Sequence, residues 1–208
     1  MQSTTRITQL SQLDPAAHYT YADYLKWDFP ERVELYKGAV QQLLPAPNRQ
    51  HQEISTNCFR RMLQFFNDGT CKLYTAPFDV RLPVKPKNGG GTDTVVQPDL
   101  CVVCDSDKLD RRGCHGAPDL VVEILSPGNS KREMRDKFGL YEEAGVPEYW
   151  VVDPTHRNIQ QFTLTDAGAY GRGVYFYEGD TLVSSRFPDW KVAVEGVFPP
   201  RDESYEII

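Results

Sequence analysis

No stretch of this chain approaches the roughly 18 consecutive apolar residues that a membrane-spanning helix needs, so no membrane segment is expected. The opening MQSTTRITQLSQLD has no cationic start followed by an apolar run, and it does not read as a signal peptide. Together these absences predict a soluble, cytoplasmic protein. Cysteine is sparse and odd in number: the five are Cys58, Cys71, Cys101, Cys104 and Cys114. Without a secretion signal, that fits reduced thiols better than a disulfide framework. Positive charge is not in excess either. Lys and Arg number 23 against 29 Asp and Glu, a net charge of −6, which argues against a broad, nonspecific hold on DNA by the whole surface. Local basic patches remain open. The glycines of PVKPKNGGGTD are followed by no Gly-Lys-Ser/Thr, so that segment reads as a flexible loop and not as a phosphate cradle.

With 208 residues and ordinary globular composition, the chain is large enough for one substantial core. Residues 1–19 read as a weakly ordered leader and residues 20–208 as a single domain. Thr20 and Asp23 cap a short helix over Tyr21–Lys26. Arg32–Tyr36 and Ala39–Leu44 form a hairpin across Lys37-Gly38. Asn48 starts a helix over about Arg49–Asn67, with His51, Ile54, Cys58, Met62 and Phe65 on one stripe. Leu73–Leu82, Val95–Cys104, Leu120–Leu125 and Glu148–Val152 read as strands. A helix from Ser130 to about Ala144 stops at Gly145. The alternating segments near Ile159–Leu164, Val174–Tyr177 and Val192–Val194 predict an antiparallel extension.

Chemistry concentrates between Gln97 and Pro154. Alternation along a strand puts Asp99 on the face opposite Pro98 and Leu100, and Glu123 on the face opposite Val122 and Ile124. Two carboxylates on neighbouring apolar strands are costly to bury unless paired, hydrogen-bonded or bound to a metal. Structural ion pairs at strand ends are the plain alternative to a metal. Lys137 flanks the Met134–Phe138–Tyr141 stripe of its helix, where it reaches a cleft or lays its stem along the core edge; Lys131, on the other side of the stripe, is the alternative. Two carboxylates with a nearby lysine can hold a divalent cation and activate water. Asp119, in a second Pro-Asp, shares the strand parity of Glu123 and is either a strand-entry residue or a secondary ligand. Cys101-x-x-Cys104 followed by Cys114-His115 does not fit a zinc site, because positions 101 and 104 point to opposite faces of a strand.

The run PDLVVEILSPGNSKREMRDKFGLYEEAGVPEYWVVDP resembles the Uma2 family of the PD-(D/E)XK, restriction-endonuclease-like superfamily, and RVELYKGAV, RQHQEI and APFDVRL extend the likeness over roughly residues 20–195. The superfamily pattern puts lysine two residues after the second acid, where this chain has Leu125; the resemblance implies a lysine displaced to the following helix, hence Lys137. It further implies an α/β (α+β) fold with a mixed central sheet flanked by helices. The implied activity is hydrolysis of nucleic-acid phosphodiesters, DNA foremost, with Mg²⁺ or Mn²⁺ held by Asp99, Glu123 and the backbone carbonyl of Ile124. Glu34, in its ELxxG context, is either a further carboxylate at the metal or a solvent-facing acid. His51 is either a substrate contact or a hydrogen-bonded core histidine, and Gln97, on the face of Asp99, is a weaker contact candidate. Lys131 joins them if it replaces or assists Lys137. A homodimer is expected, since symmetric dimers are the commonest assembly. The rival expectations are a catalytically silent nucleic-acid-binding module and a self-associating structural protein of the same fold.

Overall fold

The computed structural model describes residues 6–43, 48–86, 91–126 and 131–201, without the side chains of residues 131–133. Residues 44–47 after the hairpin, residues 127–130 with the expected helix start at Ser130, and the Lys131 side chain therefore lie outside the described residues. Of the leader, residues 1–5 also lie outside. Further along it, Leu10–Gln12 forms a 3-10 turn, Ile7 bridges to Trp27 and Leu13 is buried.

Helix α1 (Tyr21–Tyr24) begins where the Asp23 carboxylate accepts both the N–H and the hydroxyl of Thr20. Strands β1 (Val33–Tyr36) and β2 (Ala39–Gln42) form the expected hairpin. Its turn needs positive φ at both Lys37 (50°) and Gly38 (80°), and the His18 ring packs so closely on Gly38 that a Cβ there would lie 2.2 Å from it. Helix α2 (Arg49–Phe65) is capped by the Asn48 side chain, which accepts the His51 N–H at 2.9 Å. Its buried stripe is His51, Ile54, Cys58 and Met62.

Two expected strands are each split by a proline. Leu73–Leu82 becomes β3 (Lys72–Thr75) and β4 (Val80–Arg81), with Pro77 between them. Val95–Cys104 becomes β5 (Val95–Val96) and β6 (Leu100–Val103), with Pro98 between them. Proline offers no N–H to a ladder, so each run breaks there and its two halves join different sheets. Between the expected strands, residues 105–117 carry β7 (Leu109–Asp110) and β8 (Gly113–His115). The remaining elements are β9 (Leu120–Ile124), α3 (Lys131–Ala144), β10 (Glu148–Asp153), β11 (Asn158–Thr163), β12 (Val174–Tyr177), β13 (Thr181–Val183) and β14 (Lys191–Ala193). Gly145, at φ 79°, ends α3 as expected, with the Val146 N–H returning to the Tyr141 carbonyl.

The central sheet has the order β12-β11-β10-β9-β6-β3 and is mixed: β9 and β10 are parallel, linked through α3, and the other pairs are antiparallel. A second six-stranded sheet has the order β2-β1-β5-β4-β8-β7, and β13-β14 forms a separate hairpin. Strand parity divides the core of the central sheet. On one face Leu100, Val102, Leu120, Val122 and Trp150 pack with Ile54, Cys58 and Met62 of α2 and with Trp190 and Val192. On the other, Cys101, Val103, Val121, Tyr149 and Val151 pack with Leu140 and Tyr141 of α3 and with Val80, Val96 and Cys114 of the second sheet.

The cysteines depart from the expectation of free thiols. Cys71 and Cys104 form a disulfide, because the β3–β6 register, which pairs Lys72 with Val103, brings the next two residues opposite each other. Cys58, Cys101 and Cys114 are free and buried. Cys101 and Cys104 face opposite sides of their strand, as parity requires.

Candidate active site

Pro98 ends β5 and lets the chain step from the second sheet into the central one. Asp99 sits at that step, one residue before β6, and not inside a continuous strand. Its Oδ2 accepts the Ile124 N–H at 2.8 Å and stands 3.2 Å from Nε2 of His51. The first contact ties Asp99 to the end of β9; the second ties it to the first turn of α2. Burial alone lowers the His51 imidazolium, but the hydrogen bond and charge of Asp99 outweigh it and the net effect is a rise.

Glu123 lies on the face of β9 shared by Val121, toward α3. Its Oε1 accepts from Nζ of Lys137 at 2.8 Å and from the Tyr141 hydroxyl at 2.6 Å. Lys137 and Tyr141 are four residues apart on α3 and therefore present the same face. Lys137 also lies 3.5 Å from Oε1 of Glu34. Glu34, fully buried on β1, accepts the Tyr36 hydroxyl at 2.7 Å and the Gln97 N–H at 2.6 Å. Burial pushes the Glu123 carboxyl up to about 7 against the pull of Lys137, and the charges of Asp99 and Glu34 push the same way. Lys137 is held charged: its burial opposes that, but Glu123 and Glu34 more than offset the cost. Of the alternatives open in the sequence, Glu34 is a buried member of the cluster and not a solvent-facing acid, and Lys137 points at Glu123 and Glu34.

Other candidates lie apart. The Gln97 side chain turns away to Arg32, Tyr24 and Asp79, and only its backbone N–H touches the cluster. Asp119 accepts the Cys104 N–H and is clamped by Arg186 at 2.8 Å, so it is no part of the site. Tyr36 and Tyr141 are the members that sequence reasoning missed. Both sit at core positions, and only the polar tip of a tyrosine on a lysine-bearing helix face hinted at the second role.

Asp99 and His51 line an open cavity of about 270 Å³ with Arg32, Ser55, Phe59 and Thr75. That cavity reaches Asp99 and His51, while Glu34, Glu123 and Lys137 are buried behind them and do not line it. Two carboxylates, Glu34 and Glu123, stand around one ammonium, with Asp99 close enough for its charge to act on Glu123, and the oxygen donors suit a hard divalent cation. Each acid is already engaged, however, Asp99 by the Ile124 N–H and His51, Glu123 by Lys137 and Tyr141, and Glu34 by Tyr36 and the Gln97 N–H, and among the described residues no group of three or more His, Cys, Asp or Glu side chains is set to hold a metal ion. A cation would have to draw Asp99 and Glu123 together out of these hydrogen bonds.

The Uma2 family model, described as "Putative restriction endonuclease", matches residues 21–195. The chain belongs to the Uma2 family. An uncharacterized protein of Synechocystis sp. is 24% identical to this Uma2 chain over 149 residues, 70% of this chain and 74% of that protein. A crystal structure titled as a "putative nuclease belonging to DUF820" from Anabaena variabilis superposes with a TM-score of 0.67 at 18% identity, over 86% of this chain and 97% of that one. At that identity the likeness shows the fold, and the α+β architecture expected from the sequence is the one found. The description of the family supports a nuclease-like function. Among the described residues no helix is long and apolar enough to cross a membrane.

Proposed function

We propose that this Uma2 protein hydrolyses the phosphodiester bonds of DNA, with Mg²⁺ or Mn²⁺ held by Asp99, Glu123 and the Ile124 carbonyl. The observation that carries this reading is the meeting of Lys137, from the helix after β9, with a Glu123 that also feels the charge of Asp99. A divalent cation bound there supplies charge for the scissile phosphate and acidity for the attacking water. Lys137 orients that water and offsets charge developing on the phosphate. Tyr141 holds the Glu123 carboxylate in place. Glu34 keeps the lysine aimed and protonated. His51 supports Asp99, with Nε2 as its contact.

The test is nicking of supercoiled and linear DNA with Mg²⁺ or Mn²⁺ by the wild type and by Asp99→Ala, Glu123→Ala and Lys137→Ala. Metal-dependent cleavage lost in all three variants supports the assignment. A wild type that neither cleaves nor gains thermal stability with metal refutes it.

A second reading, a catalytically silent module of the same fold, has one observation in its favour: every acid of the cluster already has protein partners. It predicts DNA binding with no metal-dependent cleavage. We further propose a cytoplasmic homodimer. The support for a dimer is the edge position of β12, which leaves Val174, Tyr175 and Tyr177 each 52% exposed. Sedimentation of wild type and Tyr175→Lys tests it, the variant being the monomer.

A further inference from the structure

Arg32 stands between two cavities. On one side is the 270 Å³ cavity that opens onto Asp99 and His51. On the other is a cavity of about 230 Å³ lined by Tyr24, Trp27, Phe29, Gln97 and Glu31. The guanidinium is exposed, yet fixed: Nε and Nη2 donate to the Gln97 side-chain carbonyl at 3.1 and 2.7 Å. That acceptor is neutral, so the charge is aimed without being neutralised. Three acids lie nearby: Asp28 is taken up by Arg6 at 3.2 Å, Asp79 accepts from the Tyr24 hydroxyl and the Gln97 amide, and Glu31 lines the second cavity.

The second cavity is aromatic. Trp27 and Phe29 lie nearly parallel, with ring centroids 5.7 Å apart, and Tyr24 stands 5.6 Å from Trp27. At about 230 Å³ it falls below the roughly 300 Å³ at which clefts for whole small molecules begin, and it suits one planar ring on a longer molecule. Aromatic rings beside an exposed, aimed arginine are the combination that holds an unstacked base and its phosphate. Bases paired and stacked in a continuous duplex cannot enter such a cavity.

We infer that Arg32 holds a backbone phosphate and that the Tyr24–Trp27–Phe29 cavity takes an unpaired base of the same strand, so that the substrate is single-stranded or locally melted DNA. This rests on the nuclease reading above and narrows its substrate. The strand crosses Arg32 from the aromatic cavity to the Asp99 side of the cluster. Glu31, at the rim, opposes the incoming anion.

The experiment measures binding of a thymidine oligonucleotide and of a hairpin duplex of equal length, in Mg²⁺, to the Asp99→Asn protein. Single-strand binding should be at least tenfold tighter. Phe29→Ala in that background should weaken it about ten- to a hundredfold. Arg32→Gln should reduce the steepness of log K against log salt by about 0.7, one phosphate contact on a single strand. Tryptophan emission, read without changing the fold, should be quenched by the single strand, since Trp27 is half-buried whereas Trp150 and Trp190 are buried. Equal affinity for duplex, or unchanged binding, salt slope and emission, overturns the inference while wild-type cleavage keeps the nuclease reading. Absence of both binding and cleavage overturns both.

Discussion

Nζ of Lys137 lies 2.8 Å from Oε1 of Glu123, although the two residues stand fourteen positions apart on different elements. The pair closes the βαβ unit formed by β9, α3 and β10, and places a cation against a carboxylate that burial would otherwise neutralise. Removing the lysine strands two buried acids. Lys137→Ala should abolish cleavage and also lower stability by about 3–5 kcal/mol, measured by urea unfolding. Its activity is meaningful only below the temperature at which it unfolds.

Asp99→Asn separates chemistry from stability. The Asn carbonyl can still accept the Ile124 N–H, and the Asp99 side chain is 21% exposed, so the unfolding free energy should move by no more than about 1 kcal/mol. Cleavage should fall at least about a hundredfold, in step with lost metal affinity. Parallel denaturation and nicking curves check this.

The metal-free protein should lose stability as the solution is made more alkaline through neutrality. The Glu123 carboxyl, pushed to about 7 by burial, binds its proton more tightly folded than unfolded, where its value is 4.5. Its contribution is therefore complete below 4.5 and lost as pH rises through about 7, a change of about 3 kcal/mol at most. His51, also raised, acts in the same direction. Chemical denaturation at pH 5 and pH 8 in EDTA should show the fall, and Glu123→Gln should flatten it. Divalent-cation affinity should rise over the same interval, since the ligand must be ionised.

Glu148 is a buried acid of another kind. Its oxygens accept from Trp150 Nε1 at 2.6 Å, Gln161 Nε2 at 2.5 Å, Ser184 Oγ at 2.6 Å and the Arg186 N–H at 2.9 Å. Four donors make it an anchor for the C-terminal segment that carries Ser184 and Arg186. Glu148→Ala should cost about 3–5 kcal/mol and leave the cleavage rate per folded molecule unchanged.

The cysteines admit a direct count. In denaturant without reductant, three thiols should react, those of Cys58, Cys101 and Cys114; after reduction, all five should. With the paired cysteines 33 positions apart, breaking the link should lower stability by about 3–4 kcal/mol on the chain-entropy account. Thiol titration and unfolding with and without dithiothreitol test both.

Much of this protein is determined by sequence alone. The β1–β2 turn follows from Lys37-Gly38, the start of α2 from Asn48, the end of α3 from Gly145, and the buried stripe of α2 from its period, because each is decided by backbone sterics or by neighbours within a turn of helix. The acids and lysine of the site are legible too, through the motif that marks Uma2. What sequence could not decide is which residues complete the cluster and which candidates leave it. Gln97 has the parity of Asp99, but its side chain goes to Arg32; Asp119 has the parity of Glu123, but Arg186 claims it. Tyr36 reads from the sequence as a strand residue, Tyr141 as a member of the α3 stripe, and Cys71 and Cys104 as free thiols. Parity says to which face a side chain points and nothing of what stands there. The tertiary structure decided those outcomes, because the prolines at 77 and 98 divert each strand into a second sheet and so set which distant side chains meet.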